Sequence, residues 1–187
     1  MASLLQSTCN TRALPTGSLR YIRSEAPLHP SEGDIRWLID HRVTTLVDLR
    51  SPEEVLRSPC PLASDPAFCY HHLPVTGGGD PPKSREGLYV VYRQMVDGRM
   101  ERILKTIQNA PENVMYFCAA GKDRTGVVSA LLLRRLGYDE DTIVADYMLS
   151  RENLMPLLLD YVREHPQVDL ELLIPRPENI LQVLENL

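Results

Sequence analysis

The sequence predicts an α/β fold in three α/β/α layers, with a central, largely parallel sheet covered by helices on both faces. Short strand-like runs alternate with runs whose apolar residues recur at helical spacing, the pattern of a parallel sheet with helical crossovers. Pro and Gly clusters punctuate that alternation, and neither an internal repeat nor a low-complexity linker interrupts it. With 187 residues, 43% of them apolar and 24% charged, the chain is expected to form one domain, residues 1–187, around one sizeable core.

Taken in order, Leu19 to Arg23 reads as a short strand. Pro30 to His41 follows as an amphipathic helix, because Ile35, Leu38 and Ile39 fall on one face. Thr44 to Leu49 is a buried strand, and Pro52 to Arg57 a short helical turn. Cys69 to Val75 is the next strand, with Cys69 expected as a small core residue. In Thr76 to Arg85 the glycines carry no side-chain restraint and the prolines bar a helix, so a flexible loop is expected. Glu86 to Ala110 is helical, with a break at Asp97-Gly98 where Asp97 is placed to cap the second piece. Asn113 to Phe117 is an apolar strand, and Val127 to Leu136 an apolar helix stopped by Gly137. Asp139 to Ser150, Glu152 to Glu164 and Pro177 to Asn186 are the remaining helices, Pro177 suiting a first helical turn.

Between the last strand and its helix stands the most informative stretch, Cys118-Ala-Ala-Gly-Lys-Asp-Arg124-Thr-Gly126. A loop that leaves an apolar strand and enters a helix turns its N–H groups inward at the helix N-terminus, where the dipole favours an anion. Five residues separate the Cys118 thiol from the Arg124 guanidinium. The guanidinium is able to fork onto two oxygens of a phosphate while the sulfur sits beneath the phosphorus as nucleophile. Ligands of parallel sheets bind outside the carboxyl ends of the strands, which is where Cys118 falls. A nucleotide-binding loop of the Walker type is excluded, because Gly121-Lys122 is followed by Asp123 rather than Ser or Thr.

The run CAAGKDRTG resembles the signature loop of cysteine-dependent protein phosphatases, and more narrowly that of the bacterial tyrosine-phosphatase-like group whose loop reads AGKDRTG. Tyr21-Ile-Arg23-Ser24, Asp48-Leu-Arg50-Ser51 with Glu54, and Ala145-Asp146-Tyr147-Met-Leu-Ser150 are similar to further phrases of that group, so the resemblance covers most of the chain. One departure stands out: Phe117 occupies the position where such phosphatases usually carry His, and Phe cannot hydrogen-bond the loop. The resemblance implies a phosphatase-like domain. It also implies an acid, since the aspartate at the loop position, Asp123 here, is the proposed proton donor of the group. Asp80, in the Gly-rich segment, is the alternative general acid, in the place ordinary phosphatases use. Its other reading is a turn residue before Pro81-Pro82.

The expected chemistry is hydrolysis of a phosphate monoester in two steps: Cys118 attacks phosphorus, and water then releases inorganic phosphate from the phosphocysteine. Neither a metal nor another cofactor is called for. Arg124 and the N–H groups of Ala119, Ala120, Gly121, Lys122, Asp123 and Arg124 are expected to hold the equatorial oxygens. Thr125 either donates its hydroxyl to the sulfur or caps the helix. Gly121 and Gly126 complete the phosphate-binding stretch through loop geometry and helix packing, and Lys122 either adds a positive charge or is neutralised by Asp123. Lys83 and Arg85 are a possible cationic rim or solvated loop charges. Asp48 with Arg50 reads as a structural polar pair, Asp146 and Tyr147 as support, and at most one of His71 and His72 faces the site, neither with metal-ligand company.

The expected partner is a phosphorylated protein, bearing phosphotyrosine first and phosphoserine or phosphothreonine second, or a phosphoinositide. Two rivals are a phospho-binding module of weak turnover, motivated by Phe117, and a rhodanese-like sulfurtransferase, which also sets a cysteine in a loop before a helix. The net charge of -5 argues against a general nucleic-acid or membrane-surface binder. Met1 to Gly17 lacks the features of a signal peptide, and no apolar run reaches the roughly 18 residues of a span, so no stable membrane insertion is expected. A cytoplasmic protein is the reading, with export by a route lacking a cleaved signal as the other. Cys9, Cys60, Cys69 and Cys118 show no paired spacing, which points away from a disulfide framework or zinc site. Oligomeric state is beyond the sequence.

Overall fold

The computed structural model describes residues 3–79 and 82–185. Its strands β1 (Arg12–Ala13), β2 (Tyr21–Glu25), β3 (Val43–Asp48), β4 (Cys69–His72) and β5 (Asn113–Cys118) form one sheet in the order β1-β2-β5-β3-β4. β1 pairs antiparallel with β2, and every other pair is parallel. This is the largely parallel, three-layer arrangement that the sequence pattern predicts. β1 is the strand that pattern does not announce, since two residues are too few to show a period.

β5 sits at the centre, and that position explains its unbroken apolar run, because a strand covered on both faces has no polar face to show. Val114, Tyr116 and Cys118 point into one core, Met115 and Phe117 into the other. The first core is closed by α3 (Arg85–Gln94), α4 (Met100–Gln108), α5 (Asp123–Arg135), α6 (Glu140–Glu164) and α8 (Pro177–Leu184), through residues such as Tyr92, Ile103, Val127, Tyr147 and Ile180. The second is closed by α1 (Glu32–Asp40) through Leu38, by the 3₁₀ turn Pro61–Ser64 through Leu62, and by Leu5.

Two short helices begin on reciprocal caps. Ser31 and Asp34 cap α1, and Ser51 and Glu54 cap α2 (Pro52–Arg57), each serine accepting from the helix while the acid accepts from the serine's N–H. Asp34 also accepts from the Gln6 and Ser7 amides at 2.6 and 3.2 Å, which ties the N-terminal segment to α1. Register then aligns the strand ends: Glu25 lies beside Cys118 and Asp48 beside Phe117. The carboxyl ends of β2, β3 and β5 therefore open onto the same rim.

Several expected boundaries shift, each for a local reason. α6 is one helix from Glu140 to Glu164 rather than two, because the junction at Arg151 and Glu152 holds good helix formers. Pro156 inside it is exposed, as is Glu152, whose carbonyl loses the Pro156 N–H and faces solvent. α5 starts at Asp123 rather than Val127, so Asp123 to Gly126 form its first turn. β4 ends at His72, short of Val75, and α7 (Leu170–Leu173) is an unannounced single turn. Cys69 is exposed rather than a core residue, since it opens the edge strand. The break before α4 falls where Asp97-Gly98 indicates it, but Asp97 is not its cap: Arg99 is, without a side-chain bond, and Asp97 only accepts from the Arg99 amide in the turn before it. Gly137 ends α5 with a φ of 85°, and α8 is described to Leu184, the expected end at Asn186 lying outside the described residues. Among the described residues no helix is long and apolar enough to cross a membrane.

Candidate active site

The stretch from Cys118 to Arg124 bends over the end of β2 by a left-handed turn at Gly121, φ 65°. A Cβ there would lie 2.5 Å from the backbone of Ser24 and Glu25, so the position excludes every side chain on two separate counts. The Gly121→Ala variant is expected to lose more than about 2 kcal/mol of stability, because neither the positive φ nor a backbone neighbour can yield cheaply. Urea unfolding measures this; a loss under about 0.5 kcal/mol would contradict the packing described.

Carbonyls at the strand end and along the loop are tied outward. Phe117 O accepts from Leu49 N at 2.8 Å and Ala119 O from Ala26 N at 3.2 Å. Asn10 Nδ2 donates to Ala120 O at 3.3 Å and to Gly121 O at 3.1 Å, and Arg23 Nη2 donates to Gly121 O at 2.9 Å. A peptide unit whose carbonyl is held on one side presents its N–H on the other. The amides of Ala119 to Arg124 accordingly find no acceptor among the described residues, and the N-terminus of α5 carries no side-chain cap. Unpaired amides at a helix start form an anion cradle.

Charge beneath the loop acts in the same direction. Arg12 and Arg23, both buried, share the single carboxylate of Asp146, at 3.2 Å from Arg12 and in contact with Arg23. Ser150 Oγ accepts from Arg12 at 3.0 Å and from Asn10 and Arg23 at 3.3 Å. Two guanidiniums against one carboxylate leave a net positive charge buried under the cradle, which favours a negative charge above it. Burial and the neighbouring Arg23 push the Arg12 guanidinium down to about 10, still charged at neutral pH.

Cys118 closes β5 and is 2% exposed. Arg124, in the first turn of α5, is 2% exposed and directs Nη1 and Nη2 at the Glu54 carboxylate, the latter at 2.8 Å. Glu54 thus serves both the α2 cap and the guanidinium. Burial raises the Glu54 carboxyl, but the hydrogen bonds from Arg124 and Ser51 outweigh it and hold the group below its ordinary value. For Arg124 burial lowers and the bonds to Glu54 raise, with the Cys118 and Asp123 charges adding to a net upward shift. Arg124 Nε and Thr125 Oγ1 are buried with no hydrogen-bond partner among the described residues. Gly78, φ 73°, would bring a Cβ within 3.3 Å of the Arg124 stem, so the Gly-rich segment lies against the guanidinium's own side chain. Phe117 is fully buried in the second core, with the Arg50 guanidinium 5.8 Å from its ring, and makes no bond to the loop.

Asp123 opens α5, and its Oδ1 accepts from the Tyr92 hydroxyl and forms an ion pair with Lys122 Nζ at 3.0 Å. Oδ2 accepts from no described residue. Lys122 also donates to Leu173 O at 2.7 Å, so its charge is turned towards α7 and Asp123. Lys122 and Asp123 border a cleft of about 570 Å³ whose apolar wall includes Leu88, Val91, Met95, Leu158 and Tyr161, with Gly77 to Gly79 and Lys83 at its mouth. Asp80, the alternative acid, lies outside the described residues.

Other polar residues lie on the neighbouring strands. Asp48 and Arg50 form a buried ion pair at 2.6 Å, joined by the Tyr70 hydroxyl at 2.7 Å. His72 bonds the Arg50 carbonyl at 2.9 Å and His71 faces Cys69 at 3.3 Å. Among the described residues no group of three or more His, Cys, Asp or Glu side chains is arranged to hold a metal ion. Sequence reasoning misses Asn10, Arg12, Tyr92 and Asn179, which carry no local signal because each acts through a partner far along the chain.

Comparison with known proteins agrees with this geometry. The chain is 27% identical over 156 residues, 78% of its length, to the tyrosine-protein phosphatase of Nostoc commune, covering 52% of that protein. It is 48% identical over 52 residues, 28% of its length, to the triple specificity protein phosphatase PtpB of Mycobacterium tuberculosis, covering 19% of that protein. The chain thus spans about half the length of the Nostoc relative. The family model described as the tyrosine phosphatase family matches residues 9–187, and the chain belongs to that family.

Proposed function

We propose that the chain hydrolyses phosphate monoesters, phosphotyrosine in proteins foremost, through a phosphocysteine on Cys118. The observation that carries this reading is the run of unpaired amides from Ala119 to Arg124, together with the orphaned Arg124 Nε, directly after the thiol of Cys118. A buried donor without a partner costs about 1–3 kcal/mol, a cost retained where a ligand supplies the acceptor. A phosphate dianion supplies several at once.

In the first step the sulfur of Cys118 attacks phosphorus, the phosphorus–oxygen ester bond breaks, and Asp123 hands a proton to the leaving oxygen. In the second, water attacks the phosphocysteine, its proton passes back to Asp123, and the sulfur departs as thiolate. Arg124 and the amides stabilise the equatorial oxygens throughout. The apolar wall of the cleft suits an aryl leaving group. Residues 1–187 act here as one phosphatase domain, and a reducing, cytoplasmic setting suits its nucleophilic thiol.

Phosphoserine, phosphothreonine and phosphoinositide esters form a second substrate class. The open cleft with Lys83 at its mouth and the local match to a triple specificity phosphatase favour their inclusion. Asp123→Asn tests the acid: turnover of an ester with a poor leaving group is expected to fall by about 10²-fold, and that of a good one by less than tenfold. Equal losses for both esters would remove Asp123 from the mechanism. A side-by-side panel of phosphopeptides and phosphoinositides, with vanadate as inhibitor, ranks the substrates; binding without turnover, or sulfur uptake from thiosulfate, would replace the phosphatase reading.

A further inference from the structure

Behind Asp123 lies a file of buried polar groups drawn from three further helices. Tyr92 of α3 donates its hydroxyl to Asp123 Oδ1. Tyr92 and Tyr147 of α6 share a hydrogen bond of 2.7 Å between hydroxyls, and Asn179 Nδ2 of α8 lies 3.3 Å from the Tyr147 oxygen. The direction of each bond follows from its ends. The carboxylate can only accept, so the one proton of Tyr92 goes to it and Tyr147 must give its own proton to Tyr92; the Asn179 NH₂ in turn donates to Tyr147. Such a file strengthens cooperatively in a low-dielectric interior.

The groups are costly to place there. Tyr92, Tyr147 and Asn179 are between 0% and 2% exposed, in the largest apolar core of the molecule. Gly126 makes room for the file, since a Cβ at that position would meet the Tyr147 ring at 2.9 Å. Burial, and then the charge of Asp123, raise both phenols above their ordinary value, so they remain donors throughout the working pH range.

We infer that Tyr92, backed by Tyr147 and Asn179, is a positioning residue for the general acid: with Lys122 it occupies Oδ1 of Asp123 and so assigns the transferable proton to Oδ2, the oxygen left for the leaving group. This rests on the role of Asp123 given under Proposed function. It makes the C-terminal helix α8 part of the catalytic apparatus without touching substrate. It also gives the hydroxyl of a core tyrosine a purpose that packing alone does not require.

The test compares Tyr92→Phe, Tyr147→Phe and Asp123→Asn with the unaltered chain on aryl phosphates that run from good to poor leaving groups. Tyr92→Phe keeps the ring and its packing. Its turnover is expected to fall about tenfold further for the poorest leaving group than for the best, with KM within about twofold, and Tyr147→Phe follows with a smaller dependence. In the Asp123→Asn background Tyr92→Phe should add no further leaving-group dependence, since the two act on one proton. A merely structural role would lower all esters by one common factor. A uniform loss, or none, in Tyr92→Phe while Asp123→Asn shows the dependence overturns the inference and leaves the acid intact. A flat series for Asp123→Asn overturns both. Should Tyr92→Phe fail to fold, the same comparison with Tyr147→Phe decides, a uniform loss again going against the relay.

Discussion

Replacing Cys118 with serine is expected to abolish turnover, by at least about 10⁴-fold, while inorganic phosphate or vanadate still binds. A serine hydroxyl has the right place but not the anion, and among the described residues none is placed as its dedicated base: the acid side chain, Asp123, accepts from Tyr92, pairs with Lys122 and serves the leaving oxygen. Everything that grips the oxygens is untouched by the change, since the cradle is made of backbone amides and Arg124. Steady-state kinetics on a phosphotyrosine peptide, together with calorimetry of oxyanion binding, separate the two quantities. Turnover within tenfold of the unaltered chain would mean that the nucleophile lies elsewhere.

The second large effect concerns Arg124. Arg124→Lys keeps the charge but not the fork, and turnover is expected to fall by about 10²- to 10³-fold with weaker oxyanion binding. The guanidinium spends Nη1 and Nη2 on Glu54 and keeps Nε free, so that one planar group is oriented by the carboxylate and still has an N–H for the phosphate. An ammonium cannot do both from a single nitrogen. Glu54 holds its carboxyl below the ordinary range, so this orientation is complete at neutral pH and is lost only as pH falls through that depressed value. Kinetics of Arg124→Lys beside Glu54→Gln check the division: Glu54→Gln should cost less, because it loosens the fork without removing it. Equal activity of Arg124→Lys and the unaltered chain would refute this division of the guanidinium between Glu54 and the phosphate.

Much of the molecule was legible before folding. The central strand reads as such from Asn113 to Phe117 because its run is apolar on both faces, and the break at Asp97-Gly98 announces the two helices it separates. Where the reading erred, the causes differ. The expected division between Ser150 and Glu152 is not made, because Arg151 and Glu152 are exposed good helix formers that carry α6 through. Cys69 read as core by residue type, but its exposure depends on β4 being the edge strand, a property of the strand order and of no residue.

What the sequence by itself determined is the identity and order of the loop residues: a thiol at a strand end, a glycine for the turn, and a guanidinium ahead of an apolar helix. Short-range sterics and hydropathy suffice for that, because they act within a few residues. Only the tertiary structure decided which groups those residues answer to. Glu54 meets Arg124 across 70 positions, Asn10 meets the Gly121 carbonyl across 111, and Tyr92 meets Tyr147 across 55. Hydrogen-bond partners at such separations are set by the order of the strands and the packing of helices upon them, and no local pattern of residues encodes which distant side chain will arrive.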